Sequence, residues 1–157
     1  MEWTTLAATG LGALVGVGST LLADRVRRRH DATERSRRER TEIYVACLTT
    51  FRQAHEAMRA AASGDRADER PGAVDAAVRE AFRESGCNEA RETALICAPE
   101  PMTGVIDEAF LTLRSLRGVL ASGHAVPSPE YREARRVHNR AVTAARTAMR
   151  ADLGRTP

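Results

Sequence analysis

The sequence predicts an all-α protein in which an N-terminal transmembrane helix continues into an antiparallel four-helix bundle. Three observations predict this class. Residues 3–23 form an uncharged and mainly apolar run. From residue 42 onwards, apolar residues recur at steps of three and four, which is the period of a helix. Aromatic residues make up only 4% of the chain, and no stretch alternates with period two for long, so a sheet is not favoured.

Residues 1–23 are predicted to be the membrane anchor, and their apolar part reads WTTLAATGLGALVGVGSTLLA. At 1.5 Å rise per residue this part gives about 31 Å of helix, close to the roughly 30 Å hydrocarbon core of a bilayer. A helix fits because every backbone N–H and C=O bonds within the segment. Two other interpretations stay open, namely a signal peptide, which would carry its positive charge before the run, and a buried helix of a soluble protein.

A basic cluster directly after the run predicts the orientation of the anchor. Short basic segments beside a membrane helix stay on the cytoplasmic side. We therefore expect a single-pass protein of the cell membrane, with its N-terminus outside and residues 24–157 in the cytoplasm. The residues predicted to contact lipid headgroups and to set this topology are Arg25, Arg27, Arg28 and Arg29.

Small residues recur every four positions along the predicted anchor. They are Ala8, Gly12, Gly16 and Thr20, and the two glycines form a GxxxG pair. Such a stripe lets two helix backbones approach closely, so these four residues are predicted to pack against another membrane helix, as in a homo-oligomer. The alternative is that glycine is simply frequent in membrane helices.

Residues 24–41 are predicted to form a basic stalk next to the membrane. Residues 24–40 carry eight arginines against four acidic residues, a net charge of +4, whereas the whole chain is +3. The basicity is therefore local, and anionic membrane lipid is the partner that it favours. Nucleic-acid binding is not favoured, because no aromatic residue interleaves with the arginines to stack on bases.

The cytoplasmic domain is predicted to be a bundle over residues 42–154. Proline and glycine mark the boundaries between its helices, as at Pro71, in the segment Cys97-Ala-Pro-Glu-Pro101, and at the candidate N-cap Ser128. A weak point at Ser85-Gly86 leaves open whether the second helix is one bent helix or two short ones. The predicted helices cover residues 42–62, 72–96, 102–122 and 129–153.

No catalytic, cofactor-binding or metal-binding residue is predicted. The four histidines have no i,i+4 pair among them, none lies beside a cysteine in a zinc pattern, and Glu-x-x-His does not occur. P-loop, strand-associated GxGxxG and GxSxG motifs are also missing. We expect His138 to be a hydrogen-bonded core or boundary residue and His55 to lie at the surface. The three cysteines, Cys47, Cys87 and Cys97, are expected to be free, buried thiols.

The chain resembles small actinobacterial single-pass membrane proteins of unassigned function. The residues that carry the resemblance are the opening MEWTTLAATGLGALVGVGSTLLADRVRRRHD, the tyrosine in ERTEIYVACL, and the closing AARTAMRADLG. The opening is the most specific of the three. The resemblance implies one N-terminal membrane helix followed by a cytoplasmic helical domain, and it carries over no catalytic or binding residue.

The function that these observations predict is a non-enzymatic, membrane-tethered helical interaction or scaffold module. It would need no cofactor, and its partners would be membrane lipid, a cytoplasmic protein, and a second copy of the chain. The alternative is a membrane-active oligomer, or an auxiliary subunit of a transport or DNA-transfer machine, which the glycine-rich helix and its basic flank would suit.

Overall fold

A computed structural model gives the backbone of residues 3–63, 72–124, 126 and 128–154. Within these ranges it gives the side chains of residues 27, 28 and 31 onwards. The described residues form helices and no strand, which confirms the all-α class. They divide into two compact units, Met1–Glu39 and Arg40–Pro157. The helices are α1 (Trp3–Ser63), α2 (Ala73–Glu84), α3 (Cys87–Cys97), α4 (Glu100–Ala121) and α5 (Pro129–Gly154).

Helix α1 contains both the predicted stalk and the first predicted bundle helix. Between residue 19 and Ser63 the chain has neither glycine nor proline, so nothing interrupts its backbone hydrogen bonds. The side chains of residues 31–39 are all exposed, as expected of a solvated stalk. In the second unit, one face of α1 is buried at steps of three and four. This face has the helical period predicted from residue 42 onwards and consists of Tyr44, Cys47, Phe51, Ala54 and Met58.

The segment predicted as 72–96 is two helices, α2 and α3. The chain breaks at Gly86, whose φ of +70° lies in the left-handed region that favours glycine. Ser85 secures the break, because its hydroxyl donates to the Phe82 carbonyl at 2.7 Å and accepts from the Cys87 N–H at 3.3 Å. The second of the two open interpretations is therefore correct.

Helix α4 begins at Glu100, two residues before the predicted start. Pro101 lies in the first helical turn, where its missing N–H would have no helical partner in any case. The prolines therefore end the preceding helix as predicted, but the second of them belongs to α4. Helix α5 matches its prediction to within one residue, and the Ser128 hydroxyl accepts from the Tyr131 N–H at 3.2 Å.

The core of the second unit is organised around Phe110 on α4. Its ring lies 5.9 Å from the ring of Phe51 on α1 and 6.0 Å from that of Phe82 on α2. The guanidinium of Arg91 on α3 lies 5.0 Å from the centre of the Phe110 ring and also donates to Asp107 at 2.7 Å. One aromatic side chain thus joins α4 to three other helices.

Helices α1 and α5 pack antiparallel. The Tyr44 hydroxyl donates to Asp152 at 3.0 Å, and His55 Nε2 lies 3.1 Å from the Tyr131 hydroxyl. As residue numbers rise along α1, those of its partners on α5 fall. The bundle architecture is therefore confirmed, with α2 and α3 together in the place of one predicted helix.

Among the residues whose side chains the structure describes, no helix is long and apolar enough to cross a membrane. The predicted anchor, residues 3–23, lies outside the residues on which that finding rests. The transmembrane assignment therefore stays a prediction.

Removing the Phe110 ring tests its central position. We expect Phe110→Ala to lower the free energy of unfolding by about 3–5 kcal/mol, because burial of the ring is lost and a cavity remains. Leu111→Ala next to it, at a position that is 51% exposed, should change stability by no more than about 0.5 kcal/mol. Urea titration of the full chain in mild detergent, followed by circular dichroism, measures both. Equal effects of the two substitutions would contradict the packing described.

Candidate functional site

An elongated groove runs between α1 and α5, with a cavity volume of about 480 Å³. This α1–α5 groove is lined on the α1 side from Thr41 to His55 and on the α5 side from His138 to Leu153. Two polar pairs join the helices near its ends, Tyr44 with Asp152 and His55 with Tyr131. Its volume lies in the range of ligand-binding clefts.

A histidine pair lies at one end of the groove. The rings of His55 and His138 are 5.9 Å apart and meet edge to face. Nδ1 of His138 lies 3.1 Å from the hydroxyl of Thr112 on α4, and Nε2 of His55 lies 3.1 Å from the Tyr131 hydroxyl. His138 is a hydrogen-bonded core residue, as predicted. The prediction for His55 was wrong, because that ring is half-buried against Tyr131 and His138.

Burial keeps both imidazoles neutral. Loss of hydration, and to a smaller extent the nearby His55, lower the pKa of His138 to about 4. Burial also lowers the pKa of His55, and Arg135 and Arg59 act in the same direction. At pH 7 the pair therefore adds hydrogen-bonding groups to the groove and no positive charge.

A tyrosine–carboxylate pair lies at the opposite end of the groove. Tyr44 is buried, its hydroxyl donates to Asp152, and Arg40 Nη1 lies 3.4 Å from the same carboxylate oxygen. Burial raises the pKa of Tyr44 well above its ordinary value, and the hydrogen bond to Asp152 raises it further. The phenol therefore remains protonated and serves to hold α1 against α5.

The groove between these ends is lined by apolar residues and by arginines. The apolar residues include Val45 and Leu48 on α1 and Val142 and Leu153 on α5, and Val45 is 60% exposed. The guanidinium groups that line the groove belong to Arg52, Arg146 and Arg150.

The imidazole and phenol groups of the groove already have hydrogen-bond partners within the protein. Its histidines and Tyr44 are neutral and engaged with side chains of the protein. Within the described residues, no group of three or more histidine, cysteine, aspartate or glutamate side chains could hold a metal ion. The groove is otherwise lined by apolar side chains, with arginines on both helices.

The residues predicted from sequence as functional lie outside this groove. Arg27 and Arg28 are exposed, but the side chains of Arg25 and Arg29 are outside the described residues. The predicted helix-packing residues Ala8, Gly12, Gly16 and Thr20 are also outside them. Two of the three cysteines, Cys47 and Cys87, are buried as predicted. Cys97 is exposed, which corrects the expectation for it, because it is the last residue of the short helix α3.

The groove cannot be recognised from the sequence, because the residues that line it lie next to core positions of α1 and α5. Val45 and Leu48 each follow a core position of α1 by one residue, and Arg146 follows the buried Ala145 in the same way. An exposed valine next to a core position is a weak signal on its own. Only the pairing of α1 with α5 brings these flanking residues together.

No protein-family model matches this chain, and no curated protein or solved structure is similar enough to count as a match.

The pKa of His138 predicts a pH dependence of stability. The unfolded chain binds a proton at this histidine near pH 6.5, whereas the folded chain resists protonation down to about pH 4. Stability from this residue is therefore present above pH 6.5 and falls as the pH drops to about 4, by up to roughly 3 kcal/mol. We expect His138→Gln to lose less stability than the wild type over this window, as measured by urea denaturation at several pH values.

A matched control for this prediction is His124→Gln. His124 is exposed next to the end of α4, so its replacement should leave the wild-type pH dependence unchanged. An unchanged slope in the His138 variant would contradict the assignment of a buried, neutral imidazole.

Proposed function

We propose that the protein is a non-enzymatic, membrane-tethered interaction module whose α1–α5 groove binds a partner protein at the cytoplasmic face of the cell membrane. The observation that carries this proposal is the groove itself, which is lined by apolar residues and by arginines of both helices. Exposed apolar surface bordered by charge is typical of protein interaction sites.

The tether is supported by the sequence before the second unit. Residues 3–23 carry no charge, are helical, and are long enough to cross a bilayer at 1.5 Å per residue. The arginines that follow, from Arg25 to Arg29, favour retention of the following chain in the cytoplasm. The exposed side chains of residues 31–39 suit a solvated connection between the membrane and the bundle.

The side chains of the groove favour binding over catalysis. A general base needs a pKa near the working pH, but burial lowers the pKa of His138 to about 4 and raises that of Tyr44. The buried thiol next to the groove, Cys47, has its pKa raised to about 12 by burial, so it is not a nucleophile at neutral pH.

The exposed cysteine offers a direct test of location. Cys97 is exposed whereas Cys47 and Cys87 are buried, so a membrane-impermeant maleimide should react at one position. In intact cells we expect no labelling of the full chain, and after the membrane is disrupted we expect labelling that Cys97→Ala abolishes. Labelling in intact cells would place the bundle outside and overturn the proposed topology.

Site-specific crosslinking tests the groove as the interaction surface. A photoreactive amino acid at Val45, inside the groove, should crosslink a heterologous protein in native membranes. The same amino acid at Leu111, an exposed apolar position on α4, should not. Because the groove lies in the second unit, Gly12→Leu with Gly16→Leu should leave this crosslink intact.

The opposite pattern would favour the alternative function. If Val45 captures only a second copy of the chain, and the two glycine substitutions abolish that product, the membrane helix mediates self-association. The protein would then be a membrane-active oligomer.

A further inference from the structure

Positive charge predominates among the residues that line the α1–α5 groove. Among the described residues that line it, three are arginines and none is aspartate or glutamate. Arg146 and Arg150 form no ion pair within the described part of the chain. Arg52 lies 3.7 Å from Glu56, but both side chains are well exposed, so this pair is weak and easily exchanged. A negatively charged occupant is therefore favoured.

These arginines are spread along the groove. Arg150 lies near the Tyr44 end, because its neighbour Asp152 accepts the hydrogen bond from Tyr44. Arg52 lies one turn before His55, at the opposite end, and the eight residues from Tyr44 to Arg52 span about 12 Å of helix. Arg146 lies one turn before Arg150 on the other wall. Because a helix rises about 6 Å over four residues, carboxylates at successive turns of a helix match the spacing of Arg146 and Arg150.

The shape of the groove agrees with such a row. From Thr41 to His55 it is about 21 Å long, which is about four turns of a helix. A helix lying along the groove would place one row of its side chains in it. This is the arrangement in which helices bind grooves through anchors at i, i+3 or i+4, and i+7.

We infer that the α1–α5 groove binds an acidic amphipathic helix of the partner protein. Its apolar side chains contact Val45, Leu48 and Val142, and its flanking glutamates or aspartates pair with the guanidinium groups on both walls. Arginine suits this role because its planar fork binds a carboxylate through two parallel hydrogen bonds. This inference rests on the proposed function and specifies the partner that the module takes.

Two stapled helical peptides of equal length test it. Both carry the same row of leucines, and the positions flanking that row are glutamate in one peptide and glutamine in the other. Binding to the full chain in nanodiscs of neutral lipid is measured by fluorescence anisotropy. We expect the glutamate peptide to bind at least tenfold more tightly. The substitutions Arg146→Gln and Arg150→Gln together should weaken it about tenfold or more and leave the glutamine peptide unaffected.

A control pair on the same helix separates local pairing from long-range attraction. Arg136 and Arg140 have the same spacing on α5 but line a different surface, which the groove does not include. Replacing both with glutamine removes the same charge and should leave the affinity for the glutamate peptide unchanged. Equal weakening by the two double variants would overturn the inference, as would equal binding of the two peptides.

Vesicles of anionic phospholipid are the third probe. If Arg146→Gln with Arg150→Gln weakens binding to these vesicles but not to the glutamate peptide, the groove binds a lipid surface and the inference is wrong. The crosslink from Val45 then shows whether the proposed function is wrong as well, or only the inferred partner. If a heterologous protein is still captured there, the interaction module stands and only its helical acidic partner is rejected.

Discussion

Burial of one face of α4 is the constraint on which the rest of the bundle depends. This helix is surrounded by α1, α2, α3 and α5, and its residues Ile106, Leu113, Leu116 and Leu120 are completely buried. Burial of each such side chain stabilises the folded state by about 1.5–3 kcal/mol. Because the chain has only three phenylalanines, the contact of Phe110 with the other two concentrates the aromatic packing at one point. Neighbouring helices are positioned by this contact.

Polar pairs then set how α1 lies against α5. Tyr44 with Asp152 holds one end, and His55 with Tyr131 holds the other. Each bond contributes only about 1 kcal/mol net, but leaving a buried partner unsatisfied costs more. A shift of α1 along α5 would break both pairs together, so they specify one register. That register places the arginines of the two helices along a common groove.

The properties that could be predicted for the site were those of single residues. The buried, hydrogen-bonded state of His138 followed from its position on the apolar stripe of α5. For His55 the sequence predicts a surface position, yet its ring packs beside a histidine 83 positions away in the chain. All 24 lysine-or-arginine residues of the chain are arginines. A single arginine therefore indicates no site, and Arg52, Arg146 and Arg150 indicate one only because they line the same groove.

By itself, the sequence determined the helical class, the buried stripes and nearly all helix ends. These depend on local physics, since the period of apolar residues selects a helix, and proline or glycine ends it within a turn. The tertiary structure alone decided that Ser85-Gly86 separates two helices, that Pro101 opens α4, and which arginines share a groove. The shared groove depends on packing between segments far apart in the chain. No local pattern records the register in which α1 meets α5, because the pairs that select it join residues 108 and 76 positions apart.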